Sequence, residues 1–131
     1  MKTREIPRTE WLSFFDSFSR QHEGWLVNLE ILGSDIGAQY EGRELALEGI
    51  TAEWDEGEGY VIAIMTGVEA DAHITHSINR PTMVSLEQTD QGADVALAIK
   101  SANGDTALLR FRSPMLPEMV DGVVAQQSQR A

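Results

Sequence analysis

QHEGWLVNLEIL, residues 21–32, is where the hydrophobic period of the chain changes. On its upstream side, in RTEWLSFFDSFSRQHEG (8–24), Trp11, Phe14, Phe15 and Phe18 fall at i, i+3, i+4 and i+7. That spacing makes one apolar stripe on a helix. It predicts a helix over about 9–22, with Thr9 as N-cap and Glu10 beside the positive helix end. Gly24 suits the left-handed conformation that stops a helix. His22 falls in the last turn, where a cation meets the negative end of the dipole, a structural role. A helix of roughly 13 residues is unstable alone in water, so its four aromatics must pack on something. Burying each contributes on the order of 2 kcal/mol.

Downstream of Gly24 the period is two. Trp25, Val27, Leu29 and Ile31 share one face of a strand. In ITAEWDE (50–56), Ile50, Ala52 and Trp54 point inward, and Thr51, Glu53 and Asp55 outward. YVIAIMTG (60–67) is apolar on both faces, as in a central strand. GAQYEGRELALEG (37–49) is a less regular strand, with Gly42 at a bulge. EGEG (56–59) is a turn. Four more short strands follow: HITHSI (73–78), PTMVSLEQ (81–88), DVALAIK (94–100) and TALLRFR (106–112).

The last two strands flank Asn103-Gly104, a strong hairpin signal. A two-residue loop would pair Leu97 with Arg110 and place Arg110 and Arg112 among core residues. A three-residue loop, Ala102-Asn103-Gly104, pairs Ser101 with Asp105 and Leu97 with Leu109, and turns both arginines to water. A one-residue slip exchanges the faces of a strand, so burial selects the three-residue loop. Gly104 then takes the left-handed position.

One helix followed by seven or eight short strands reads as a mainly β (α+β) fold. The expected architecture is a small antiparallel barrel or sandwich whose helix plugs one end or covers one face. The 131 residues fit a single domain, expected over 1–122 with strands over about 25–112. Pro117 could open one helical turn, and 123–131 reads as a disordered tail.

Composition narrows the function classes. Hydrophobic residues make up 42 %, enough for a folded core. The lack of cysteine removes disulfides, thiolate zinc sites and cysteine nucleophiles, and suits a reducing cytoplasm. The amino terminus, MKTREIPRTEW, has no apolar run after its basic residues, so it is not a secretory signal. YVIAIMTGV is too short for a membrane helix, which needs roughly 20 residues. Formal net charge is −11, and no Lys or Arg occurs from Glu44 to Asn79. Such a surface repels phosphate, which argues against nucleic acid and anionic membranes as partners.

The chemistry-bearing residues are few. His73 and His76 are three apart in a stretch whose Ile, Thr and following Pro81 disfavour a helix. On a strand they point to opposite faces and do not converge on a metal. Neither an HExxH motif nor a cysteine cluster supplies further ligands, so no metal site is assigned. His76 sits on the apolar face, either as a hydrogen-bonded core histidine or as a pocket histidine. Arg80, Lys100, Arg110 and Arg112 are four of the ten basic residues, and could form an anion or acidic-partner patch, a second copy included. GxSxG, GxxxxGK[ST] and GxGxxG are absent, and no catalytic residue or cofactor is assigned. The binding candidates are His76, Arg80, Arg110 and Arg112.

WLSFFDSFSRQHEGW, DIGAQ, LEGI, RPTMVSLEQT and LLRFRSPMLPEMVDG together resemble a family of short bacterial proteins known only as a domain of unknown function. The resemblance runs from the first helix to Gly122. It implies a free-standing single domain and brings no activity, cofactor or catalytic residue. The expected function is therefore that of a soluble, cytoplasmic bacterial binding or accessory module. Two alternatives stand beside it: a small enzyme with an acid/base pocket around His76, and a structural homo-oligomer.

Overall fold

The computed structural model describes residues 1–33, 37–57, 59–69 and 72–115. The expected tail at 123–131 and the helical turn at Pro117 lie outside them. The element order is β1 (Lys2–Ile6), a 3-10 turn (Arg8–Glu10), α1 (Trp11–His22), β2 (Leu26–Gly33), β3 (Gly37–Asp55), β4 (Gly59–Glu69), β5 (Ala72–Asn79), β6 (Pro81–Gln88), β7 (Asp94–Ser101) and β8 (Thr106–Met115). All eight strands join one antiparallel sheet in the order β1-β6-β7-β8-β2-β3-β4-β5. Among the described residues the sheet is neither a closed barrel nor a sandwich, because β1 and β5 stand at its two edges. It curls, however, so that β4 approaches β6 and β5 approaches β7.

The helix lies inside the curl, mainly against β3. Its stripe is buried as the spacing predicts: Trp11, Phe15 and Phe18 enter the core beside Val27, Leu29, Ile62 and Leu109, and Phe14 packs at the margin. Trp11 anchors the entry to the helix, its indole N–H donating to the Ile6 carbonyl at 2.9 Å. Thr9 is not the cap. It falls within the 3-10 turn, and Glu10 precedes the helix with no side-chain cap bond. Gly24, at φ 86°, ends the helix as expected.

Three strand expectations change. First, β1 precedes the helix; its sequence carries one buried residue, Ile6, and otherwise the exposed polar pattern of an edge. Second, residues 37–55 form one strand of 19 residues rather than two. Its first half pairs with β2 and its second with β4. The ladder to β2 shifts on both sides of the Leu29–Gly42 pair, so Gly42 does sit among bulges. Third, Ile50 and Ala52 are buried but Trp54 is 66 % exposed. Its alternation is correct, but it lies past the end of the core, where its ring meets Tyr60 edge-on.

The β7–β8 register is that of the three-residue loop. Ser101 N–H donates to Asp105 O at 2.9 Å, Leu97 pairs with Leu109, and Arg110 and Arg112 are exposed. Gly104 has φ 96°.

Candidate functional site

β5 brings the two candidate histidines into the sheet as a strand, so they part. His73 pairs with Gly67 and His76 with Ile64. His73 faces outward and its Nδ1 bonds to Glu48 Oε2 of β3, reaching across β4. The crossing is possible because Gly67 lies between: a Cβ there would meet Glu48 Oε2 at 2.8 Å. His76 faces inward and is half-buried. Among the described residues no three His, Asp or Glu side chains converge as metal ligands.

His76 lines a cleft of about 180 Å³ at the open side of the curl, between β5 and the β7–β8 hairpin. Ile31, Ile99 and Ala107 supply apolar walls. Asn79, Ser101, Asn103 and Asp105 supply polar ones. Three of these organise one another within the hairpin turn. Ser101 Oγ bonds to Asn103 Oδ1, which also accepts from the Asp105 N–H at 2.9 Å. His76, in contrast, makes no hydrogen bond among the described residues, so both ring nitrogens are available to a guest.

The arginine candidates separate. Arg80 alone links β5 to β6 and takes φ 52°, the left-handed region, to turn that corner. Its carbonyl accepts from the Ala102 N–H at 2.9 Å, which pins the corner to the hairpin turn. Arg80 thus adjoins the cleft, through a hollow of about 370 Å³ shared with Asn79 and Asn103. Arg110 and Arg112 lie on the outer face of β8, away from the cleft. Arg112 stands 3.4 Å from Glu44, and Arg110 is opposite Asn28 and Ala96. Arg80 therefore stands apart from Arg110 and Arg112.

The third histidine is not a surface cation. His22 is fully buried, and its Nε2 lies 3.0 Å from Asp94 Oδ2 at the start of β7. Its Nδ1 lies 2.8 Å from the Phe18 carbonyl, which can only accept. Nδ1 therefore donates, and one proton is shared between Nε2 and Asp94. Gln88 Nε2 donates to the other carboxylate oxygen of Asp94 at 2.9 Å. The imidazole stacks on Phe111, with Trp25 against its edge. Such a histidine–carboxylate pair resembles a catalytic dyad, but it is sealed by aromatic rings and satisfied on both sides. It joins the end of α1 to the sheet.

Residues 2–119 match the family model for DUF5335, a family of unknown function. The chain belongs to that family. Its fold is also similar to the crystal structure of the Bacillus subtilis YojF protein, with a TM-score of 0.50 and 12 % identity. That match covers 88 % of this chain and 98 % of the other, and speaks to the fold alone. No curated protein matches the chain. Among the described residues no helix is long and apolar enough to cross a membrane.

Proposed function

We propose that this DUF5335 chain is a non-catalytic binding module of the bacterial cytoplasm, and that its ligand enters the cleft beside His76. The observation that carries this reading is an unbonded imidazole facing apolar walls and a ring of amide, hydroxyl and carboxylate groups. Apolar surface with a few convergent polar groups is the usual make-up of a small-molecule site. At about 180 Å³ the cleft suits a small polar molecule or one side chain of a larger partner.

The enzymatic alternative draws on one observation: His76 and Asp105 line the same cleft. General acid/base chemistry would need His76 oriented by a hydrogen bond, and none reaches it among the described residues. Two arginines of the candidate set, Arg110 and Arg112, play no part in the proposed site, whereas Arg80 shapes its border.

Ligand-observed NMR with a panel of small carboxylates, amides and polyols tests the reading. A binding module gives saturable, unreacted hits that His76→Gln and Asp105→Asn weaken. A probe converted to product by wild type but not by His76→Gln would establish the enzyme instead. Hits unaffected by either substitution would remove the cleft as the site.

A further inference from the structure

The second half of β3 has an open side. In an antiparallel ladder, alternate residues direct their main-chain groups to opposite neighbours. Ile50 directs both of its groups away from β4. Its N–H donates to Ser19 Oγ at 2.8 Å, and the same hydroxyl donates to its carbonyl at 3.0 Å. The register to β4 runs unbroken from Gly49 to Asp55, so Ala52 and Trp54 point the same way as Ile50. β2 would fill this row, but it begins at Leu26, opposite Ala46. Helix α1 stands in for it only at Ile50. Beyond that point the N–H and C=O of Ala52 and Trp54 face a side on which no described strand pairs with β3.

A groove of about 440 Å³ runs along this edge, between β3 and α1. Leu12, 58 % exposed, and Met65 line it, and Trp54 stands at the open end of the same edge. Its flanks carry Asp16, Glu48 and Glu53. Asp16 is paired with Arg20, and Glu48 with His73. Glu53 has no such partner among the described residues, and the chain has no Lys or Arg from 44 to 79.

We infer that this edge receives an extended, lysine- or arginine-bearing segment of a partner protein as an added strand. The main chain of Ala52 and Trp54 supplies the hydrogen bonds, the groove takes alternate apolar side chains, and Glu53 meets the basic ones. Trp54 is the anchor, as exposed tryptophans at interfaces commonly are. A second copy is a poor occupant, because each carries a net charge of −11. This edge is separate from the cleft beside His76, so either site can fail without the other.

The test is an amide-resolved NMR titration of the full chain with three capped hexapeptides: alternating Lys-Val, alternating Glu-Val, and Lys-Val with N-methylated main chain. The Lys-Val peptide should shift the Ala52 and Trp54 amides and the Trp54 indole. The N-methylated peptide should bind at least about tenfold more weakly, since main-chain pairing carries much of the affinity in strand addition. Trp54→Ala should weaken the Lys-Val peptide about tenfold, and Glu53→Gln about threefold. Both side chains are exposed, so thermal unfolding should stay unchanged and serve as the control for folding. Unmoved Ala52 and Trp54 amides, or equal shifts with the Glu-Val peptide, would overturn the inference. So would protection of these amides in the free protein together with a concentration-dependent doubling of mass, which would identify a second copy as the occupant.

Discussion

His22 Nε2 and Asp94 Oδ2 lie 3.0 Å apart across 72 residues of sequence, the imidazole fully buried and the carboxylate nearly so. This pair fixes the end of α1 to the first residue of β7. Removing Asp94 strands the His22 Nε2 among aromatic rings with no replacement. Asp94→Ala should therefore cost about 3 kcal/mol in urea unfolding. The double change His22→Leu with Asp94→Leu should cost less than Asp94→Ala alone, because the buried imidazole is no longer left without its carboxylate. Strictly additive single losses would contradict the pairing.

Ser19 occupies the place of a neighbouring strand at Ile50. Ser19→Ala leaves both an N–H and a carbonyl of β3 without their partner, at a cost of about 2 kcal/mol. Hydrogen exchange at the Ile50 amide should rise relative to that of Ile62. An unchanged exchange rate would mean that the hydroxyl does not hold this edge.

Gly104 holds φ 96° in the turn that sets the β7–β8 register. Nothing lies within 4 Å of a Cβ built there, so the penalty for Gly104→Ala is conformational rather than steric crowding. A loss of about 1 kcal/mol is expected in thermal unfolding. Gly67→Ala, in contrast, is a contact problem. It should break the His73–Glu48 bond, seen as a change in the His73 ring signals, while the other two histidines keep theirs.

Asp90 lies against the Met1 ammonium at 2.7 Å, which holds its carboxyl below the usual carboxylate range. A depressed folded value means that the contact favours the folded state above the ordinary aspartate range. That contribution fades as pH falls through the folded value. Acetylating the amine should return Asp90 to the ordinary range in a carboxyl-carbon NMR titration, with little effect on unfolding because both groups are exposed.

Local periodicity made much of this fold legible. Trp11, Phe15 and Phe18 announce the helix because burial repeats with its turn. The β7–β8 register was readable because the alternative would bury Arg110 and Arg112. What escaped lacked a local signature. β1 shows one buried residue in five, too few for a pattern. The bulges around Gly42 disguised the continuity of β3. Trp54 obeys the alternation but lies where the core has ended. Asp94 and His22 meet through strand order, which no spacing encodes. The same holds for the cleft: the inward face of His76 follows from alternation, but its neighbours Ser101 and Asp105 come from a hairpin two strands later. The separation of Arg110 and Arg112 from Arg80 likewise depends on which face of the curled sheet each side chain leaves.

The three histidines offer the most direct test of the binding reading, since each occupies a different setting. His22 is sealed against Asp94, His73 is bonded to Glu48, and His76 alone opens on the cleft. Ring-nitrogen NMR spectra recorded while a hit from the small-molecule panel is titrated in should show His76 moving and saturating, with His22 and His73 still and the probe intact. Movement of His73 with His76 unchanged, or consumption of the probe dependent on His76, would contradict the assignment of the cleft as a non-catalytic binding site.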